Sequence, residues 1–99
     1  MPKVILQISY DIKPDKLDQY LKLVQEMKEH FVQGKKKDYT VFEQRGKKNS
    51  YVEQFVCQSM EEFDELEEDS DEKGEELINR LEALVQEGKS RYTTLVGLE

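Results

Sequence analysis

The chain contains no tryptophan, one histidine, one cysteine and two prolines. Each shortage removes a class of function. A lone cysteine, Cys57, cannot close an intramolecular disulfide, which makes a reducing cytoplasm the expected compartment. A lone histidine, His30, has no second imidazole with which to share a metal ion. Neither an HExxH stretch nor a His/Cys cluster occurs. There is no Gly-rich phosphate loop and no nucleophile elbow, so nucleotide and serine-hydrolase chemistry have no foothold. No apolar run is long enough to span a bilayer, and Val4, Ile5 and Leu6 are too few for the apolar part of a secretory signal.

Positive charge is scarce as well: 15 Lys and Arg stand against 22 Asp and Glu, a net charge of −7. Many of the carboxylates crowd between residues 61 and 76. Such a field repels nucleic acid and anionic lipid. Lys35, Lys36 and Lys37, and then Lys47 and Lys48, form two short clusters with no aromatic residues interleaved, the pattern of solvated turns rather than of a phosphate-binding patch. Within the acidic stretch, Asp69-Ser70-Asp71-Glu72-Lys73-Gly74 imitates the opening of a calcium loop. The match then fails, because the fifth and twelfth places hold Lys73 and Arg80, and cations cannot ligate calcium. No metal or other cofactor is therefore expected. The density of carboxylates does motivate one reading, a non-catalytic interaction module whose acidic helix surface docks a basic partner.

What the chain does contain is periodicity. Its 99 residues enclose one core, so a single domain over residues 1–99 is expected. Val4, Leu6, Ile8, Tyr10 and Ile12 alternate with Ile5, Gln7, Ser9 and Asp11, which reads as a half-buried strand. Lys13-Pro14-Asp15 breaks it. Leu17, Tyr20, Leu21, Val24, Met27 and Phe31 then share one helical stripe that ends at Gly34. Residues 39–44 and 51–57, linked by Arg45-Gly46-Lys47-Lys48-Asn49, read as a hairpin. Ser59-Met60-Glu61-Glu62 is a capping box that starts a helix burying Met60, Phe63 and Leu66. The stretch Glu68-Asp69-Ser70-Asp71 is too polar for a core and marks a break. A second helical run with Leu77, Ile78, Leu81, Leu84 and Val85 on one face then reaches Gly88, and residues 91–98 alternate as a last strand.

The order strand, helix, strand, strand, helix pair, strand predicts an α+β ferredoxin-like βαββαβ fold, an antiparallel sheet with its helices on one face. The other face is left bare, with Ile5, Gln7 and Ser9 on it. A second copy of the same sheet is the simplest cover, so a homodimer is expected. A short chain gains stability from such a partner.

A few residues carry potential chemistry. His30, near the end of the first helix and off the centre of its apolar stripe, is placed to bond the last carbonyls, with an acid, base or ligand role as the sharper alternative. Cys57 at the end of a strand reads as a small hydrophobe. Five tyrosines are many for a chain without tryptophan. Tyr10 and Tyr20 face the space between sheet and first helix, where a phenol hydroxyl either packs in the core or donates to a bound ring. A ligand pocket would be lined by Tyr10, Tyr20, His30 and Phe63.

Three patterns resemble the dimeric α/β-barrel superfamily, and within it the antibiotic-biosynthesis-monooxygenase-like proteins. Ile12-Lys13-Pro14-Asp15-Lys16 is similar to the family's strand-to-helix corner, Gln58-Ser59-Met60-Glu61-Glu62-Phe63 to the start of its second helix, and Ser70-Asp71-Glu72-Lys73 to the polar break that follows. The resemblance implies a homodimeric barrel and, where members oxygenate substrates, a polycyclic phenol or haem held between sheet and helices without a metal or flavin of the protein's own. The haem-degrading branch uses an Asn, a Trp and a His at places that fall near Ile8, Leu66 and Glu76, and none of the three is kept. What remains implied is a cofactor-independent monooxygenase or a binder of a small aromatic molecule, with no nucleic acid and no membrane among its partners.

Overall fold

The structure, a computed structural model, describes residues 2–69 and 71–98. Ser70, one residue of the expected polar break, lies outside the described residues. Strand β1 spans Val4–Ile12 and helix α1 spans Leu17–Lys28. Pro14, which has no amide hydrogen to leave unbonded, opens the single turn of 3-10 helix at Pro14–Lys16 that joins them. Past Lys28 the helix widens into a π-helical turn, Glu29–Gly34. Strands β2 (Asp38–Glu43) and β3 (Ser50–Cys57) follow, then helices α2 (Met60–Glu68) and α3 (Glu72–Leu84), then strand β4 (Val85–Val96).

The strands form one sheet in the order β2-β3-β1-β4, every neighbouring pair antiparallel. This is the expected α+β ferredoxin-like arrangement with its second helix split in two. Register puts Val4, Leu6, Ile8 and Tyr10 of β1 opposite Cys57, Phe55, Glu53 and Tyr51 of β3, all on the face that the helices cover. The main core joins that face to α1 and α3 through Tyr10, Ile12, Tyr20, Leu23, Met27, Tyr39, Phe55, Leu77 and Leu81. A second, smaller core of Val4, Cys57 and Phe63 lies under α2 at the other end of the strands.

Two caps account for the α2–α3 corner. Ser59 Oγ accepts from Glu62 N at 3.2 Å, and Glu62 Oε2 accepts from Gln58 N at 2.6 Å, so the reciprocal bond goes one residue before the cap. Asp71 caps α3 by accepting from Gly74 N at 2.9 Å.

Some expectations need correction. Met60, expected to be buried by α2, is exposed at the start of that helix. The last helix does not run to Gly88 with Val85 on its apolar face. It stops at Leu84, and Val85 is the first, buried residue of β4, paired with Ile12. A β-branched residue fits extended backbone well. Between Ile12↔Val85 and Tyr10↔Ser90 the register slips, and residues 86–89 bulge outward with Glu87 and Gly88 in left-handed backbone. At its far end β4 stops at Val96, short of the expected Leu98.

The uncovered face of the sheet is made by Ile5, Gln7, Ser9 and Asp11 of β1, Val52, Gln54 and Val56 of β3, Asp38, Thr40 and Phe42 of β2, and Arg91, Thr93 and Leu95 of β4. Its charges, Asp11, Asp38 and Arg91, stand at the ends of their strands, and the middle of the face is uncharged. At its centre Gln7 Nε2 donates to Gln54 Oε1 at 3.1 Å.

Candidate functional site

Inside the main core the sheet presents a carboxylate where strand alternation calls for an apolar residue. Glu53 is 3% exposed, and its Oε1 accepts from the Tyr39 hydroxyl at 2.6 Å. Its Oε2 has no hydrogen-bond partner among the described residues. Burial pushes the Glu53 carboxyl up, against the opposing pull of the Tyr39 and Tyr10 hydroxyls. Nearby, the Tyr10 and Tyr20 hydroxyls stand 2.9 Å apart, and the Tyr20 ring rests on Tyr51 with centroids 4.6 Å apart. Burial raises the phenols of Tyr10, Tyr20 and Tyr39 far above the ordinary value, and the neighbouring Glu53 charge adds to it. These tyrosines are therefore hydrogen-bond donors at any physiological pH, and the cluster is packed.

Open space lies at the other side of the aromatic layer. Tyr39 stacks against Phe31 and Phe55, centroids 5.1 and 4.7 Å away. Phe31, in the π-helical turn, is also the floor of a cavity of about 200 Å³ between that turn, the end of α2 and the start of α3. Leu66 and Ile78 complete the apolar floor. Lys35, Lys37, Glu67, Asp69, Asp71 and Glu75 make the rim, and Gly74 forms part of the wall. The widened turn matters here. Lys35 N bonds to His30 O at 2.9 Å and Lys37 N to Phe31 O at 2.8 Å, which swings both lysines towards the α2–α3 corner. There Lys35 Nζ lies 3.1 Å from Asp69 Oδ1 and 3.3 Å from Asp71 Oδ2.

His30 stands behind this rim. Its Nε2 is 3.2 Å from Asp71 Oδ2, and its ring meets Phe31 edge to face at 5.1 Å. A Cβ added to Gly74 would sit 3.6 Å from that Nε2, so the missing side chain brings the imidazole close to the cavity wall. Burial acts to raise the Asp71 carboxyl, but the Gly74 amide, Lys35 and His30 together hold it below the usual range. Asp71 is thus a fixed anion that orients the imidazole.

The four residues named from sequence are brought together only in part. Tyr10 and Tyr20 meet through their hydroxyls. His30 is tied to Asp71, and Phe63 belongs to the small core with Val4 and Cys57. None of the four lines the cavity of about 200 Å³. Phe63 packs at the Val4 end of β1 and Tyr10 lies six residues further on, roughly 20 Å along a strand, too far for one small ligand. Alternation alone could have revealed Glu53, because Tyr51, Phe55 and Cys57 share its parity and all face inward. Nothing local in the sequence announces the widening at Glu29–Gly34.

Other candidates are accounted for. Cys57 is buried, and burial together with the Glu62 charge raises its thiol, which suits a hydrophobe and not a nucleophile. Among the described residues no group of three or more His, Cys, Asp or Glu could hold a metal ion, and no helix is long and apolar enough to cross a membrane. A larger cleft of about 530 Å³ lies where β4 bulges from β1, lined by Tyr10, the one expected pocket residue that reaches it, with Ser9, Asp11, Lys47, Glu87 and Arg91 among others. It is open and polar, and lacks the apolar floor that grips a ring.

Comparison with solved structures fits this geometry. The fold is that of the antibiotic biosynthesis monooxygenase-like proteins. The crystal structure of an antibiotic biosynthesis monooxygenase superposes with a TM-score of 0.76 at 21% identity, covering 100% of both chains. A variant of a cofactor-independent oxygenase from Streptomyces nogalater gives 0.74 at 15% identity, covering 98% of this chain and 94% of that one. A conserved protein from Methanosarcina mazei gives 0.80 at 12% identity, covering 96% and 92%. No protein-family model and no curated protein sequence matches. At these identities the likeness is one of fold, and a shared fold does not transfer a reaction.

Proposed function

We propose that this protein is a homodimer whose subunits bind a small aromatic molecule in the cavity floored by Phe31, Leu66 and Ile78. The observation that carries the reading is that cavity: an apolar floor with a polar rim, opening between the π-helical turn and the α2–α3 corner beside the packed core. Its volume of about 200 Å³ suits one ring. A dry apolar cavity of about 150 Å³ is enough to take up benzene.

In the catalytic form of this reading the protein is a cofactor-independent monooxygenase of the kind several fold neighbours are named for. Asp71, on the rim and bonded to His30 Nε2 behind it, is then the group through which the proton of a phenolic hydroxyl passes to the imidazole, which makes the ring electron-rich enough to react with dioxygen. Oxygen uptake with single-ring quinols and catechols tests it. Turnover lost in His30→Gln, with ring binding kept, supports the enzyme. Absent uptake across the panel, with binding intact, leaves a binding protein.

The dimer rests on the face of the sheet that no helix covers, uncharged across its middle, and on β4, an edge strand of 12 residues whose Tyr92, Leu95 and Val96 are all exposed. Long bare edges and uncharged faces recruit a partner. The rival reading, an acidic docking module, draws less support. Asp69, Asp71, Glu26 and Glu76 are already engaged by Lys35, Lys37, Lys73 and Arg80 of the same chain.

A further inference from the structure

Resting on the ring-binding reading above, we propose that the cavity selects rings that carry a positive charge, aromatic or arylalkyl amines, over rings that carry a carboxylate. The rim decides this. Two lysines, Lys35 and Lys37, face four carboxylates, Glu67, Asp69, Asp71 and Glu75, around an uncharged floor. Both lysines are committed. Lys35 bridges Asp69 and Asp71 at 3.1 and 3.3 Å, and Lys37 lies 3.9 Å from Asp69. A ligand carboxylate could recruit Lys35 only by breaking two ion pairs, and it would then sit among carboxylates whose own partner had been taken away.

An ammonium meets no such obstacle. Asp71 also accepts from the Gly74 amide and faces His30, so it stays an anion without help from a ligand. Glu67 has no ion-pair partner among the described residues, and it lies on the same rim. The rim therefore carries negative charge beyond what its lysines offset, and the net charge of −7 over the whole chain acts in the same direction at longer range. The Phe31 ring in the floor adds cation–π attraction to an ammonium held near it. Lys35 and Lys37 oppose the preference, but each is already drawn to carboxylates of the same rim.

Three probes of similar size separate charge from ring: benzylamine, benzyl alcohol and benzoate, titrated into the full chain while the methyl resonances of Leu66 and Ile78 are followed. The expected result is that benzyl alcohol binds, and that benzylamine binds about tenfold tighter than benzoate, the effect of one modest charge interaction. The ratio should shrink between about 0.05 M and about 0.5 M salt, as screening takes hold. Glu67→Gln, an exposed change on α2, should narrow the ratio and leave benzyl alcohol unaffected. If benzyl alcohol binds but benzoate equals benzylamine, the charge preference is overturned while ring binding stands. If none of the three perturbs Leu66 or Ile78, ring binding fails and the preference falls with it.

Discussion

The Tyr39 hydroxyl donates to Glu53 Oε1 at 2.6 Å in the middle of the core, so the sheet carries an acid where its packing calls for a hydrocarbon. Because burial raises the Glu53 carboxyl, the folded protein holds that proton more tightly than the unfolded chain does. The contribution is fully present below the ordinary glutamate value of 4.5 and is lost as pH climbs through the raised folded value. Urea unfolding as a function of pH should therefore show stability declining on the neutral side, and Glu53→Gln should flatten that decline. Tyr39→Phe should cost about 1–3 kcal/mol, the usual penalty for stranding a buried acceptor. A Glu53→Gln profile that still falls in parallel with the parent would remove Glu53 as the cause.

The acid side has a different origin. Asp71 is held below the usual aspartate value of 3.8, so its contribution is present above that value and disappears as pH falls through the lower folded one. Asp71→Asn keeps a capping side chain and loses the charge that Lys35 and His30 share. The variant should lose the steep acid limb of the stability curve while its helix content, read by circular dichroism, stays unchanged.

Gly74 sets two effects against each other. In a helix interior, Gly→Ala ordinarily gains about 1 kcal/mol. Here the added Cβ would meet Asp71 Oδ1 at 2.5 Å, a clash relieved only by moving the cap that also holds His30 and Lys35. Loss of such a cap costs about as much as the propensity gains, and the paired lysine and histidine go with it. Gly74→Ala should therefore melt no higher than the parent and shift the His30 imidazole resonances. A variant that melts several degrees higher with His30 unmoved would show that the corner is slack.

How much of this was legible beforehand depends on the range of the forces involved. The alternation of Val4, Leu6, Ile8 and Tyr10, the stripe through Tyr20, Val24 and Met27, and the cap at Ser59 are local, and each yields its element directly. The end of α3 is not. Val85 continues the helical spacing of Leu77, Leu81 and Leu84, and only its pairing with Ile12, 73 residues away in sequence, draws it into the sheet. The site is still less local. His30 meets Asp71 across 41 positions, and the cavity exists because the turn at Glu29–Gly34 widens to bring Lys35 over the α2–α3 corner. Tyr10 and Tyr20 face the expected layer and meet through their hydroxyls in the core, with Tyr10 also at the edge of the cleft beside β4.

The uncovered face of the sheet gives a prediction independent of any ligand. Val52 sits inside it, paired with Ser9 on one side and Phe42 on the other. In the homodimer proposed here, Val52→Glu would bury a lone carboxylate in each copy, at an effective cost of several kcal/mol. Association should weaken by at least about two orders of magnitude, 1.4 kcal/mol being about tenfold. Sedimentation at micromolar concentration should give a dimer for the parent and a folded monomer for the variant. A monomeric parent would dismiss the sheet face as a self-association surface.

Ile78 offers the most direct control over the cavity, because it lines the floor yet is 45% exposed on α3. A larger side chain there can grow into the empty volume without overpacking the core, which spares the 1–3 kcal/mol that overpacking ordinarily costs. Ile78→Trp should leave the melting temperature within a few degrees and abolish the methyl shifts that benzyl alcohol produces at Leu66. Leu66→Ala enlarges the same space from the opposite wall, and it should accept a second ring that the parent refuses. The two variants act on one volume from different elements, so opposite effects on ligand size would tie binding to that volume and not to the polar cleft beside β4. If Ile78→Trp binds the ring as the parent does, the ligand is held elsewhere, and the Phe31 floor is simply a gap left where a widened helix meets a broken one.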